Sequence, residues 1–327
     1  MLADPCFLRD STRVVGDQLS EVLDLVEVRG VVSGGFAVRG PWVSRAAVEG
    51  LKFTAMASGR ALLTTEGVPE PIALEPGDVA VLNNRSWLRL EGGTGDGPRR
   101  EIVPEADFTS ARLIGGAPDT DVVVGGHVDL NPAGRALLLQ ALPPVAHVRG
   151  SAAAATNLRG SLHRLFGEVT GDRMGSAFAI RQHGQLLLLE VLRAYVDQAE
   201  LPPGWLRLLT EERLRPALDL IHADPGRPWG LRELARAVAM SRTSFAESFR
   251  TVAGVPPLTY LSRWRMLLAR RALRDDDVPV ASLAAELGYA SASAFSNAFK
   301  REVGQSPLRY RYSYRERRER QERSVRM

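Results

Sequence analysis

Apolar and polar positions divide this 327-residue chain into two parts with different periods. From about residue 10 to residue 115, apolar patches of strand length are separated by Gly- and Pro-rich breaks: LDLVEVRGVVSGGFAV, LKFTAMASGRALLTT, PIALEPGDVAVLN and SWLRLEGG. Short alternating or apolar runs bounded by turn residues predict strands. GGTGDGPRREIVPEAD, residues 92–107, reads as a polar surface loop, and ARLIGGAPDTDVVVGGHVDL adds two more strands. Strands at this spacing predict a sandwich or small barrel.

Beyond NPAGRALLLQALPPVAHVRG the period turns helical. NLRGSLHRLFGEV and SAFAIRQHGQLLLLEVLRAYVDQA repeat apolar residues at three and four, then stop at LPPGW. The second of these, residues 176–199, is broadly apolar and either buries itself within the chain or pairs with its copy in a dimer. From residue 206 every segment reads as helix, including a long one over residues 258–274. The expected fold class is α+β with two domains. A β-barrel or sandwich occupies 1–150, a helical linker and candidate dimerisation region 151–205, an all-α domain 206–312, and a charged tail 313–327.

The all-α part contains one object twice. SRTSFAESFRTVAGVPPLTYL, residues 241–261, returns as SASAFSNAFKREVGQSPLRYR, residues 291–311. Phe245 and Phe295, Phe249 and Phe299, Gly254 and Gly304, Pro257 and Pro307, Tyr260 and Tyr310 fall in step. The offset is 50 residues after the turn and 49 before it, where Leu234, Ala235 and Val238 match Leu283, Ala284 and Leu287. Each copy therefore reads as a short helix, a tight turn and a second helix, with Ser241 and Ser291 as N-caps. Phenylalanines four residues apart give each second helix one buried stripe.

The opposite face carries Arg242, Thr243, Ala246, Glu247 and Arg250 in the first copy, and Ala292, Ser293, Ser296, Asn297, Lys300 and Arg301 in the second. Small residues permit close approach to a major groove, hydrogen-bonding groups meet base edges, and cations meet phosphates. For one such helix an ordinary solvated face is the better reading; two at matching positions point to double-stranded DNA. Asn297 suits an adenine and Glu247 a cytosine amine. The 17-residue helix between the copies spans about 26 Å, against ~34 Å between successive major-groove faces. Arg263, Arg265, Arg270 and Arg271 lie on that helix, where phosphate contacts and ion pairs with residues such as Asp275 to Asp277 are both open.

Charge sharpens this picture. Residues 207–327 hold 23 basic and 14 acidic side chains, a net of +9, while the rest of the chain nets −5. An acidic front and a basic back is expected where one end meets a polyanion, although RERRERQER by itself also fits a solvated tail. Apolar residues make up 45% of the chain, enough for sizeable cores. A single cysteine, Cys6, rules out an internal disulfide and fits a reducing cytoplasm. The opening MLADPCFLRD has no secretory pattern and LLLLEVL is far too short to span a bilayer, so a cytoplasmic protein without membrane contact is expected.

Residues 206–311 resemble the C-terminal DNA-binding region of the AraC/XylS family of bacterial transcription regulators. LRELARAVAMSRTSFAESFR, GVPPLTYLSRWRMLLARRAL and LAAELGYASASAFSNAFKREVGQSPLRYR carry the resemblance, with IHADPGRPW before them. It implies two helix-turn-helix motifs with reading helices near 242–252 and 292–302. The family's usual base-contacting positions fall on Thr243, Ala246, Glu247, Ala292, Ser293, Ser296 and Asn297. It further implies RNA polymerase as a possible partner, as for an activator, with activation and repression both left open. Ala246 and Ala292 lack a polar group, so contact there is apolar, for example with a thymine methyl.

In the front half, GRALLTTEGVPEPIALEPGDVAVLN, with its Pro76-Gly77-Asp78 turn, is similar to the cupin-like sensor domains of one branch of that family. ALPPVAHVRG and GQLLLLEVLRAYV resemble the same branch's connecting segment. Metal-binding cupins place histidines and a carboxylate on adjoining strands. Here no histidine precedes His127, and His127, His147, His163, His183 and His222 lack ligand spacing, so neither metal nor cofactor is expected. A barrel without metal can still hold a small effector in its mouth. Trp42, Arg45, Trp87 and Arg89 are the candidate ligand-binding residues, with the two tryptophans equally readable as core. The expected function is a sequence-specific DNA-binding regulator controlled at its front domain by a small molecule or partner, and not an enzyme. The alternatives are a cupin-type enzyme with a DNA-binding appendage and a nonspecific architectural DNA binder.

Overall fold

The computed structural model describes residues 18–25, 28–30, 34–105, 119–151, 156–171, 173–198 and 200–325. Cys6 and the first of the two strands expected in ARLIGGAPDTDVVVGGHVDL lie outside the described residues. The chain is mixed α+β and divides into two units, residues 26–202, and residues 203–327 together with 1–25.

Two sheets build the unit of residues 26–202. Strands β1 (Val28–Gly30), β2 (Gly34–Val38), β4 (Leu51–Ser58), β7 (Val79–Asn83), β10 (Asp121–Leu130) and β11 (Val145–Val148) form one, in the order β1-β10-β4-β7-β11 with β2 also on β10. Strands β3 (Trp42–Ala47), β5 (Ala61–Thr65), β6 (Ile72–Leu74), β8 (Trp87–Gly92) and β9 (Arg100–Glu101) form the other, in the order β6-β5-β8-β3-β9. The stretch expected as a plain polar loop over 92–107 therefore contains a strand. Arg99, Arg100 and Glu101 are exposed, but the backbone amides of Arg100 and Ile102 donate to the Pro41 and Val43 carbonyls at 3.0 and 2.8 Å. Composition sees the side chains and not that edge.

Phe36, Met56, Leu82 and Val123 of the first sheet and Trp42, Leu63, Leu88 and Leu90 of the second bury into one core. Phe36 meets Trp42 edge-on at 5.1 Å, and the Trp42 indole N–H donates to Asp121 Oδ2 at 2.6 Å. Burying each large apolar side chain is worth about 1.5–3 kcal/mol, so strand alternation decides which residues face inward. The Pro76-Gly77-Asp78 turn is fastened from inside. Buried Asp78 accepts the Gly150 N–H at 2.8 Å through Oδ1, while Oδ2 accepts the Glu75 N–H at 3.1 Å and lies 2.9 Å from His147 Nε2. One carboxylate thus ties the β6–β7 turn to the end of β11.

Helices complete this unit. Asn131 caps α2 (Pro132–Ala141) by accepting the Gly134 N–H at 2.6 Å. α3 (Thr156–Thr170) and α4 (Ser176–Gln198) pack on each other, α3 also against β4 and α4 against β1 and β11. Leu158, Leu162, Leu165, Leu187, Leu188 and Leu192 are buried, so most of the stretch expected as a separate linker over 151–205 packs as part of the β unit.

The other unit is helical: α5 (Trp205–Thr210), α6 (Arg215–Ala223), α7 (Leu231–Ala237), α8 (Arg242–Ala253), α9 (Pro257–Asp275), α10 (Val280–Glu286), α11 (Ala292–Val303) and α12 (Pro307–Val325). The backbone of α12 continues through the expected boundary at 312 into the charged tail. A helix from the chain's front, α1 (Gln18–Asp24), joins this unit and not the barrel that the boundaries 1–150 assign it to. Seven residues are too few to hold a helix alone, and long-range contacts supply the difference. Val22 and Leu25 are buried, Gln18 Nε2 donates to Asp219 Oδ1 at 2.5 Å, and Glu21 Oε2 lies 2.9 Å from His222 Nδ1. His222 in turn stacks on Trp264 at 3.9 Å and meets the Tyr260 hydroxyl at 2.9 Å through Nε2. Burial, and after it the Glu21 carboxylate, push the Tyr260 hydroxyl far above the usual phenol range.

Asp78→Ala leaves the buried Gly150 amide without its acceptor, and the expected cost to the barrel is about 2–3 kcal/mol. Denaturant unfolding of the full chain, followed through a barrel-specific probe, measures it.

Candidate nucleic-acid interface

The two helix–turn–helix copies, α7–α8 and α10–α11, close their turns in the same way. A small alanine at the end of the first helix offers its carbonyl to an amide beyond the turn: Met240 N–H to Ala235 and Tyr289 N–H to Ala284, both at 2.9 Å. Each turn also needs one left-handed residue, Ala239 at φ 53° in the first copy and Gly288 at φ 74° in the second. A side chain at Gly288 would meet the Gly226 carbonyl oxygen at 1.9 Å, so only glycine fits there. The second turn then carries its extra residue, Ala290, before the cap.

Ser241 and Ser291 cap the second helices, each accepting the N–H three residues on, from Ser244 and Ala294, at 3.1 Å. Gly254 and Gly304 end them in left-handed conformation. Between cap and stop, Phe245, Phe249, Phe295 and Phe299 are completely buried. The rings form matching chains, Phe245–Phe249–Tyr260 with 5.7 Å steps and Phe295–Phe299–Tyr310 with steps of 5.7 and 5.6 Å.

That packing turns the opposite faces outward. Arg242, Thr243, Glu247 and Arg250 on α8 are exposed, with Ala246 partly covered. On α11, Ser293, Asn297, Lys300 and Arg301 are exposed, with Ala292 and Ser296 partly covered. None of their polar side-chain groups has a hydrogen bond or ion pair among the described residues. All eleven sequence-selected residues thus lie on the outward faces of two helices joined through the 19-residue α9, about 28 Å long at 1.5 Å per residue.

Of the α9 arginines singled out by the sequence, Arg270 makes no hydrogen bond or ion pair among the described residues, and the other three are used within the fold. Arg265 donates to the Pro225 and Arg227 carbonyls at 2.6 and 2.9 Å, Arg271 lies 3.9 Å from Asp275, and Arg263 lies 3.9 Å from Glu302. Their charges are engaged within the helical unit. Sequence reasoning passed over Arg232 and Arg236 on α7, which are exposed and make no pair among the described residues. Their signal was the position alone, on the helix that crosses the backbone in helix-turn-helix docking.

The barrel's candidate ligand residues fare less well. A cavity of about 60 Å³ opens between the sheets, lined among others by Phe36, Ser44, Lys52, Thr54, Leu88 and Leu90. None of Trp42, Arg45, Trp87 and Arg89 lines it. Trp42 is fully buried core. Arg45 pairs with Glu101 at 2.9 Å and Arg89 with Glu91 at 2.8 Å, while Trp87 is exposed. The reason is alternation: Ser44 and Leu90 pair across β3 and β8, as do Ala46 and Leu88, and these face the cavity. Arg45, Trp87 and Arg89, one residue away, face the other side.

A duplicated helix-turn-helix unit with unpaired outward faces, and a separate β unit enclosing a cavity, define a helix-turn-helix regulator with a cupin domain. The comparisons agree. The sequence matches the cupin family over residues 17–197 and a helix-turn-helix domain family over residues 234–313. A putative AraC-like transcription regulator from Streptomyces antibioticus is 36% identical over 301 residues, covering 90% of this chain and 98% of the relative. One from Streptomyces lividans is 34% identical over 299 residues, 90% of this chain and 98% of that one. Among solved structures, the DNA-binding domain of AdpA in complex with a target DNA is 32% identical, covering 33% of this chain and 97% of that domain, with a TM-score of 0.31. The chain belongs to the AraC-like family of transcription regulators.

Gly288→Ala is expected to cost at least ~2 kcal/mol, from the left-handed backbone and from the clash with Gly226. Thermal unfolding of the full chain measures the loss, and a variant as stable as wild type would contradict the turn geometry.

Proposed function

We propose that this regulator reads two adjacent major-groove segments of one DNA duplex, with α8 in the first and α11 in the second. The observation that carries the proposal is the pair of matched outward faces whose polar groups have no partner among the described residues. Thr243, Glu247, Ser293, Ser296 and Asn297 supply hydrogen-bonding groups for base edges, and Ala246 and Ala292 supply apolar contacts. Arg242, Arg250, Lys300 and Arg301 neutralise phosphates. The continuous α9 makes the spacing between the two blocks a property of the protein. A small molecule in the cupin barrel shifts the population between DNA-competent and incompetent arrangements. Activation through RNA polymerase and a homodimer through α3 and α4 belong to the same reading, the second resting on the exposed Phe178 and Leu186 of α4.

Selection of bound duplexes from a random pool by the full chain, at physiological salt, tests the central claim. Two short enriched blocks about one helical turn apart are expected. Binding without enrichment would support the architectural alternative instead, and a single block would remove one of the two reading helices. On the selected site, Asn297→Ala is expected to cost ~1–3 kcal/mol and to relax preference at one base pair. Lys300→Ala should weaken binding to all sequences alike and lower the slope of log K against log salt by about 1. Titrations of both variants against matched and mismatched duplexes at several salt concentrations separate these outcomes.

A further inference from the structure

One of the residues lining the barrel cavity is a half-buried cation, Lys52, for which the described residues supply no counter-ion. Lys52 sits on β4, in register with Leu82 of β7 on one side and His127 of β10 on the other. Its ammonium donates at 3.4 Å to the carbonyl of exposed Ala47, five residues back at the end of β3. It makes no ion pair among the described residues, and no carboxylate is among the described residues that line the cavity. Burial pulls the Lys52 pKa down, the direction expected of a charge that has lost water and gained no opposite charge. Such groups cluster where a ligand completes the site.

Two further groups repeat the pattern. Ser44 and Thr54 are buried and line the same space, and neither hydroxyl has a hydrogen bond among the described residues. Neither oxygen is sealed off within the protein, so both are accessible to a molecule in the cavity. The rest of the described wall is apolar, with Phe36, Leu88, Leu90 and Val123, while Gly34, Gly35 and Gly125 leave room beside it.

This inventory selects an occupant by chemistry. One cation with two neutral donors suits a monoanionic head, whereas a phosphate or sulfate would need more charge. An amine would meet like charge at Lys52, and a sugar would leave most of its hydroxyls against hydrocarbon. The size also selects. About 60 Å³ holds roughly four water molecules at ~15 Å³ each, so the enclosed body is short. We propose that the cavity binds a small apolar monocarboxylate, with Lys52 supplying the counter-charge, Ser44 and Thr54 the neutral donors, and Phe36, Leu88 and Leu90 the walls around its hydrocarbon. The proposal rests on the barrel being the effector domain and gives that effector a chemical class.

Calorimetric titration of the full chain with hexanoate, hexan-1-ol and hexylammonium tests it, in wild type, Lys52→Met and Lys52→Arg. Hexanoate is expected to bind at least tenfold more tightly than hexanol, and hexylammonium more weakly than either. Lys52→Met should keep hexanol binding, which shows the cavity intact, and lose the preference for the acid; Lys52→Arg should retain the preference. Equal affinity for hexanoate and hexanol in wild type, or an undiminished preference in Lys52→Met, overturns the carboxylate assignment but leaves a ligand-binding barrel. If none of the three probes binds wild type, both the assignment and this cavity as an effector site fall together.

Discussion

Two phenylalanines four residues apart set the roll of the second helix in each helix–turn–helix copy, and the rest of the helical unit follows from that. A helix turns 100° per residue, so burying positions 245 and 249, or 295 and 299, leaves one way to place the remaining side chains. Rolling either helix away would expose two rings, each worth about 1.5–3 kcal/mol when buried. It would also carry unpaired arginines toward the core, which is more costly still. The polar face is therefore outward because the apolar one has nowhere else to go. The same rings continue into Tyr260 and Tyr310, in the opening turns of α9 and α12. One aromatic chain thus sets both that second helix and the start of the helix that follows it.

The two copies are not equal, and the differences have local causes. The second turn is one residue longer, and its left-handed position is crowded by the Gly226 carbonyl, whereas the first copy holds an alanine there. The first copy leans on elements outside the repeat. His222, stacked on Trp264 and bonded to Tyr260, receives Glu21 from the front of the chain. In the second copy, Arg311 is buried beside the Val278 carbonyl and pairs with Asp277 at 3.3 Å. A net positive charge over residues 207–327 is thus an average over two populations. Some arginines stitch helices together, and others, such as Arg242 and Arg250, have no partner among the described residues.

In the barrel, a period of two makes every strand residue a choice between cavity and exterior. The pleat places Ser44 inside and Arg45 outside, and no feature of either residue taken singly announces which. Inward arginines would have to lose their hydration, so Arg45 and Arg89 pair with Glu101 and Glu91 on the outer face. Lys52 is the exception, a long chain that lines the cavity while its ammonium donates to the carbonyl of exposed Ala47 at the end of β3.

The repeat, the caps, the buried stripe and the composition of both outward faces were all legible in the sequence. Each is written within a few neighbouring residues, and local spacing dictates the helix geometry. The strand-rich front was legible as a class for the same reason. The tertiary structure alone decided which parity of β3 and β8 faces the cavity, that Lys52 stands there without a counter-ion among the described residues, that β9 forms in a polar stretch, and that α1 belongs with the helices. Those outcomes depend on partners far apart along the chain, Glu21 and His222 being 201 residues apart. A short polar or amphipathic segment carries no record of the surface that will receive it. Its free energy of docking belongs to the pair, and only the folded chain brings the pair together.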